Sequence, residues 1–100
     1  MAVGMLLAGE GVTKDVYVAL STKMFGNYPM REDQSPEGLL VHTAGETPDG
    51  WYIYDIWESQ EKFEQFMDST IGPAAAALGA ETPMKPQYFP IETLVKGPAI

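Results

Sequence analysis

Residues 38–59 read Gly-Leu-Leu-Val-His-Thr-Ala-Gly-Glu-Thr-Pro-Asp-Gly-Trp-Tyr-Ile-Tyr-Asp-Ile-Trp-Glu-Ser. Leu39 to Ala44 and Trp51 to Trp57 are rich in β-branched and aromatic residues, which favour strands. Pro48-Asp49-Gly50 between them is turn chemistry: proline presets φ, aspartate bonds its own backbone, and glycine takes a positive φ. The two runs therefore pair as an antiparallel hairpin. Ser59 follows as a helix N-cap, with Glu61 in the first turn, where the helix dipole favours an acid. The register hangs on loop length. If the loop is Thr47 to Gly50, Glu46 pairs with Trp51 and His42 falls opposite Asp55. If it is one residue longer, His42 faces Tyr54.

The flanking sequence completes the pattern. Ala2 to Ala8 reads as a strand that ends at the turn Gly9-Glu10-Gly11. Thr13 caps a helix, Asp15 lies in its first turn, and Val12 with Tyr17 fits a hydrophobic staple. Val16, Tyr17, Leu20 and Met24 make its apolar stripe, and Gly26 ends it. Residues 27–37 hold Pro29 and Pro36 and read as a loop. So long a loop is either a contact element or lid, or a mobile connection, and the second is the expectation. Phe63, Phe66, Met67, Thr70 and Ile71 form the stripe of the second helix. Gly72-Pro73 should kink it or break it into a short helix from Pro73 to Leu78, stopped by Gly79. Thr82 to Pro86 reads as a linker. Gln87 to Val95 reads as the last strand, and Pro90 marks it as an edge strand or a bulge.

The order is strand, helix, strand, strand, helix, strand. This is an α+β, ferredoxin-like βαββαβ chain, a four-stranded antiparallel sheet with two helices on one face. The other face needs a cover. Trp51, Ile53 and Trp57 project to one side of the third strand, and Tyr52, Tyr54 and Ile56 to the other. A monomer would leave one of these apolar sets in water. Packing two sheets face to face, about 800 Å² per chain, hides apolar surface worth roughly 20 kcal/mol gross, partly offset by lost freedom. A homodimer is expected.

Composition narrows the function. The 100 residues make one domain, residues 1–100. The net charge of -8 would be repelled by phosphate backbones, so neither nucleic acid nor a membrane surface is an expected partner. There is no cysteine, hence no disulfide or thiolate chemistry. Apolar runs such as Met5 to Ala8 are far too short to span a bilayer, and the N-terminus lacks a signal-peptide pattern. A cytoplasmic protein is expected. One histidine and no clustered carboxylates make a poor metal set, so no metal and no cofactor are expected.

The segments Gly38-Leu-Leu-Val-His42-Thr-Ala-Gly45, Asp49-Gly50-Trp51 and Asp55-Ile-Trp57-Glu-Ser59, set in that element order, resemble the dimeric α/β-barrel superfamily. That superfamily includes small bacterial proteins of the antibiotic-biosynthesis monooxygenase-like kind. The resemblance implies a two-chain barrel and a cavity, either between helices and sheet or within the barrel, lined by a tryptophan at the end of the third strand. Trp57 matches that position. Haem-degrading members carry an iron-ligating histidine on the second helix. Residues 58–78 hold none here, so haem is not implied.

His42 and Asp55 are the candidate catalytic pair. A carboxylate beside an imidazole fixes its tautomer and orients it as a base. A structural hydrogen bond between two buried polar groups would use the same residues. Trp57, Trp51 and Tyr54 are candidate ligand-stacking residues, and each would serve equally as packing. Tyr17 and Tyr88 are weaker candidates for cavity hydroxyls. One reading is a cofactor-independent monooxygenase, isomerase or cyclase acting on a small apolar or aromatic molecule. The other is a non-catalytic small-molecule-binding or purely structural homodimer.

Overall fold

In the computed structural model, which describes residues 1–9, 11–79 and 85–99, the hairpin is formed by Leu39–Thr47 (β2) and Gly50–Trp57 (β3). Its register pairs Thr47 with Gly50, Glu46 with Trp51 and His42 with Asp55, the shorter-loop alternative. A bulge between Leu39 and Val41 lets both Leu39 and His42 turn to the same side. Val3–Ala8 (β1) pairs antiparallel with β3 and with Gln87–Pro90 (β4). The sheet order is β2-β3-β1-β4. The ferredoxin-like arrangement is thus complete.

β4 is shorter than the expected run to Val95. Pro90 pairs with Val3, the first residue of β1, so the partner strand has run out. One more bond, Ile91 N–H to the Ala2 carbonyl (3.0 Å), ends the ladder. Most of the expected Thr82–Pro86 linker lies outside the described residues.

Helix α1 spans Lys14–Phe25, capped by the Thr13 hydroxyl, which accepts from the Val16 N–H. The second helix begins at Gln60–Phe66 (α2), capped by Ser59, widens through a π turn at Met67–Ile71, and continues as Gly72–Ala77 (α3). Of the kink or break expected at Gly72-Pro73, the break does not occur: the path is continuous, with a π turn leading into the short helix. Proline has no N–H to give and clashes with the turn before it. The π turn relieves that crowding, with the Gly72 N–H bonding the Met67 carbonyl five residues back. Both helical segments cover one sheet face. Val3, Met5 and Leu7 of β1, Trp57 of β3 and Phe63 of α2 form the buried core there. Among the described residues no helix is long and apolar enough to cross a membrane.

The opposite face carries Leu6, Val41, Tyr52, Tyr54, Ile56 and Phe89, as the register dictates. Tyr54 lies across Gly4 and Tyr52 across Gly45, each ring filling the space a Cβ would take. No element of the described chain covers these side chains, and Phe89 is 45% exposed.

Residues 27–37 are not the mobile connection expected from composition. Gln34 cinches them: its amide N–H groups donate to the Phe25 carbonyl and to Asn27 Oδ1, and its Oε1 accepts from the Arg31 N–H and from Asn27 Nδ2. The Ser21 hydroxyl donates to the Asn27 carbonyl and ties the loop to α1. The loop is therefore a contact element, and Met30 and Pro36 reach the space beneath it.

Candidate functional site

Strand alternation puts Trp51, Ile53, Asp55 and Trp57 on the helix side of β3, and the register brings His42 there beside Asp55. Four side chains from three elements then join in a line. Trp57 Nε1–H donates to Asp55 Oδ2 at 3.1 Å. His42 Nδ1 lies 2.6 Å from Asp55 Oδ1. Tyr17 Oη, on α1, lies 2.6 Å from His42 Nε2. The tyrosine and imidazole rings are nearly parallel, with centroids 6.0 Å apart.

One set of proton positions satisfies every member. Burial, then the nearby Tyr28 and Asp55, push the Tyr17 hydroxyl from its ordinary 10 up to about 12. Tyr17 therefore keeps its proton and donates it to Nε2. An imidazole that accepts at Nε2 carries its own hydrogen on Nδ1, which donates to the Asp55 carboxylate. Asp55 is only 5% exposed, and a carboxylate so buried would be costly without partners. The imidazole and the indole supply them. The His42 side chain is 25% exposed, so the line is reachable from the surface at the imidazole.

The line borders an apolar cavity of about 80 Å³ between the helices and the sheet. A single water needs roughly 10–15 Å³ and an apolar cavity of about 150 Å³ holds benzene, so this space takes several waters or part of a compact organic molecule. Met5, Leu20, Met24, Phe63 and Phe66 are among its walls. Among the described residues, Tyr17, Ser21, His42 and Asp55 bring hydroxyl, imidazole and carboxylate groups to it. Methionines adapt to irregular ligands and favour aromatic contacts. This arrangement can hold an apolar molecule against a base whose conjugate acid is stabilised by a buried carboxylate. Among the described residues no three His, Asp or Glu side chains cluster as a metal set.

The residues singled out from sequence separate. His42, Asp55 and Trp57 come together at the cavity. Trp51 does not line it. Its side chain is buried against Tyr17 (ring centroids 5.5 Å), with Lys14 Nζ 5.9 Å from the ring centre. Tyr54 lies on the opposite sheet face, because period-two alternation separates it from Asp55. Tyr17, a weak candidate from sequence, closes the line. Its signal was its place on the inward stripe of α1, one turn before Leu20.

The fold is ferredoxin-like α+β. No protein-family model matches the chain, and no curated protein sequence does. A search of solved structures finds a similar crystal structure, that of a protein from Deinococcus radiodurans provisionally described as an antibiotic biosynthesis monooxygenase. The TM-score is 0.53 at 14% sequence identity, over 96% of this chain and 97% of that one. At that identity the likeness concerns the fold.

Proposed function

We propose that this protein is a small-molecule enzyme, a cofactor-independent monooxygenase in the first instance, acting on a compact apolar or aromatic substrate. The observation that carries the reading is the part-buried line Trp57–Asp55–His42–Tyr17 bordering an otherwise apolar cavity. Oxygenation without a cofactor needs a substrate that yields a stabilised carbanion. An activated methylene meets this need: CH2 plus O2 gives C=O plus H2O. His42 Nε2 removes the proton once the substrate displaces the Tyr17 hydroxyl, and Asp55 stabilises the resulting imidazolium. Tyr17 then donates to the oxygen on which negative charge develops. The fold of the Deinococcus radiodurans structure is consistent with this chemistry. A homodimer formed through the open sheet face is part of the same proposal.

The second reading is a small-molecule-binding or structural dimer without chemistry. One observation favours it: every polar side-chain group of the line already has a partner inside the protein. Oxygen uptake with anthrone as substrate separates the two. Under the first reading the wild type consumes oxygen. His42→Ala and Asp55→Asn lower the rate at least about a hundredfold, the usual scale for a general base, while ligand affinity stays nearly intact. Uptake that is equal in wild type and variants refutes the enzyme.

A further inference from the structure

His42 borders two spaces. One is the apolar cavity. The other is an open groove of about 300 Å³ between the 27–37 loop and the start of β2. The two share Met30, Leu39 and His42, so the imidazole is the polar group common to both. The groove adds Arg31, Glu32 and Ser35. Because the two spaces meet at these three residues, a molecule too long for the cavity would have the groove as its nearest further space.

Among the described residues, Arg31 is the one fixed cation that lines the groove. It is held there by its backbone, whose N–H bonds Gln34 Oε1 at 2.9 Å. Its Nε–H donates to Asp33 Oδ1 at 3.1 Å and one Nη1–H to Asn27 Oδ1 at 3.4 Å. A guanidinium has five N–H donors, and among the described residues Nη2 has no partner. Glu32, on the same groove, and Asp33, the ion-pair partner of Arg31, oppose an anion, and so does the net charge of -8. An anion that binds here must therefore do so through local contact with Arg31.

We infer that the ligand is two-part: a compact apolar or aromatic body in the cavity, and a carboxylate-bearing chain in the groove against Arg31, with the reacting position beside His42. This rests on the cavity reading of the preceding section and specifies its substrate class. Arg31 and Ser35 would select the substrate without touching the reacting atoms.

Three phenols of similar size test it on the whole chain: 4-propylphenol, 3-(4-hydroxyphenyl)propionate and tyramine, with dissociation constants measured at low salt. The propionate should bind about threefold more tightly than propylphenol, the scale of one exposed charge contact, and high salt should erase the difference. In Arg31→Glu the order should invert in favour of tyramine, with propylphenol unchanged. Arg31 is on an exposed part of the loop, with its side chain 63% accessible, so an unchanged melting temperature shows that the variant is folded. Unchanged propionate-to-tyramine ratios in Arg31→Glu overturn the groove and leave the cavity standing. Failure of propylphenol to bind the wild type overturns both.

Discussion

At the scale of single residues, Asp55 is the hub. It takes one N–H from an indole two positions along its own strand and one from an imidazole on the neighbouring strand. Part of this is legible in the sequence, since alternation alone places Asp55 and Trp57 on one face. The His42–Asp55 pairing is legible to within one residue of loop length. The contact of Tyr17 with His42 is not, because it spans 25 positions and depends on how α1 docks. Tyr17 also has a titration signature. Its pKa is raised to about 12, so the folded state holds the proton after the unfolded chain has begun to lose it near 10. The stabilisation is full below pH 10 and is lost as pH rises toward 12. Denaturant titrations across that window should show stability falling with pH, and Tyr17→Phe should flatten the fall. An identical slope in the variant would remove Tyr17 from the line. Tyr88, also raised by burial, remains in both proteins as a common background.

At the scale of elements, the joints are local and readable. Ser59 and Thr13 cap the two helices as their side-chain chemistry dictates. Two features are not readable. The π turn arises from Pro73 meeting a helix whose inward stripe still has to reach the sheet, a compromise that periodicity does not reveal. The 27–37 loop looks mobile in sequence because its composition is polar, yet Gln34 organises it through four hydrogen bonds that no short motif signals. Gly38, which leads into β2, shows how tightly the joints fit. Its φ is +90°, and an added Cβ would lie 2.6 Å from the Lys62 Cβ. Its carbonyl accepts from the Glu58 N–H at 2.8 Å, tying the start of β2 to the end of β3. Gly38→Ala should therefore cost about 1–3 kcal/mol in chemical denaturation. A cost under a few tenths would mean that the strained backbone and the Lys62 contact do not constrain this joint.

At the scale of the whole molecule, two sheet faces have different fates. One carries the core, the cavity and the polar line. The other carries Tyr52, Tyr54, Ile56 and Phe89, with the two tyrosine rings packed over glycines. An uncovered, largely apolar face of this kind favours a second copy of the same chain, since a two-fold pairing matches each patch with itself. Light scattering should give twice the chain mass of 10.9 kDa. Ile56→Asp, a charge on that face and away from the cavity, should halve it while leaving the helical and sheet signals intact. A wild type that is monomeric at micromolar concentration contradicts the proposed pairing without touching the cavity.

Whether His42 answers to what enters the cavity decides the proposed chemistry. His42 is the single histidine of the chain, so its ring nitrogens give unambiguous nitrogen-15 resonances. In the free protein they should report hydrogen on Nδ1 and an acceptor at Nε2. On titration with anthrone in the absence of oxygen the Nε2 resonance should move toward the protonated position as the ligand displaces Tyr17 and yields its proton. A ligand that saturates the protein while both ring signals stay where they were would contradict the role given to His42.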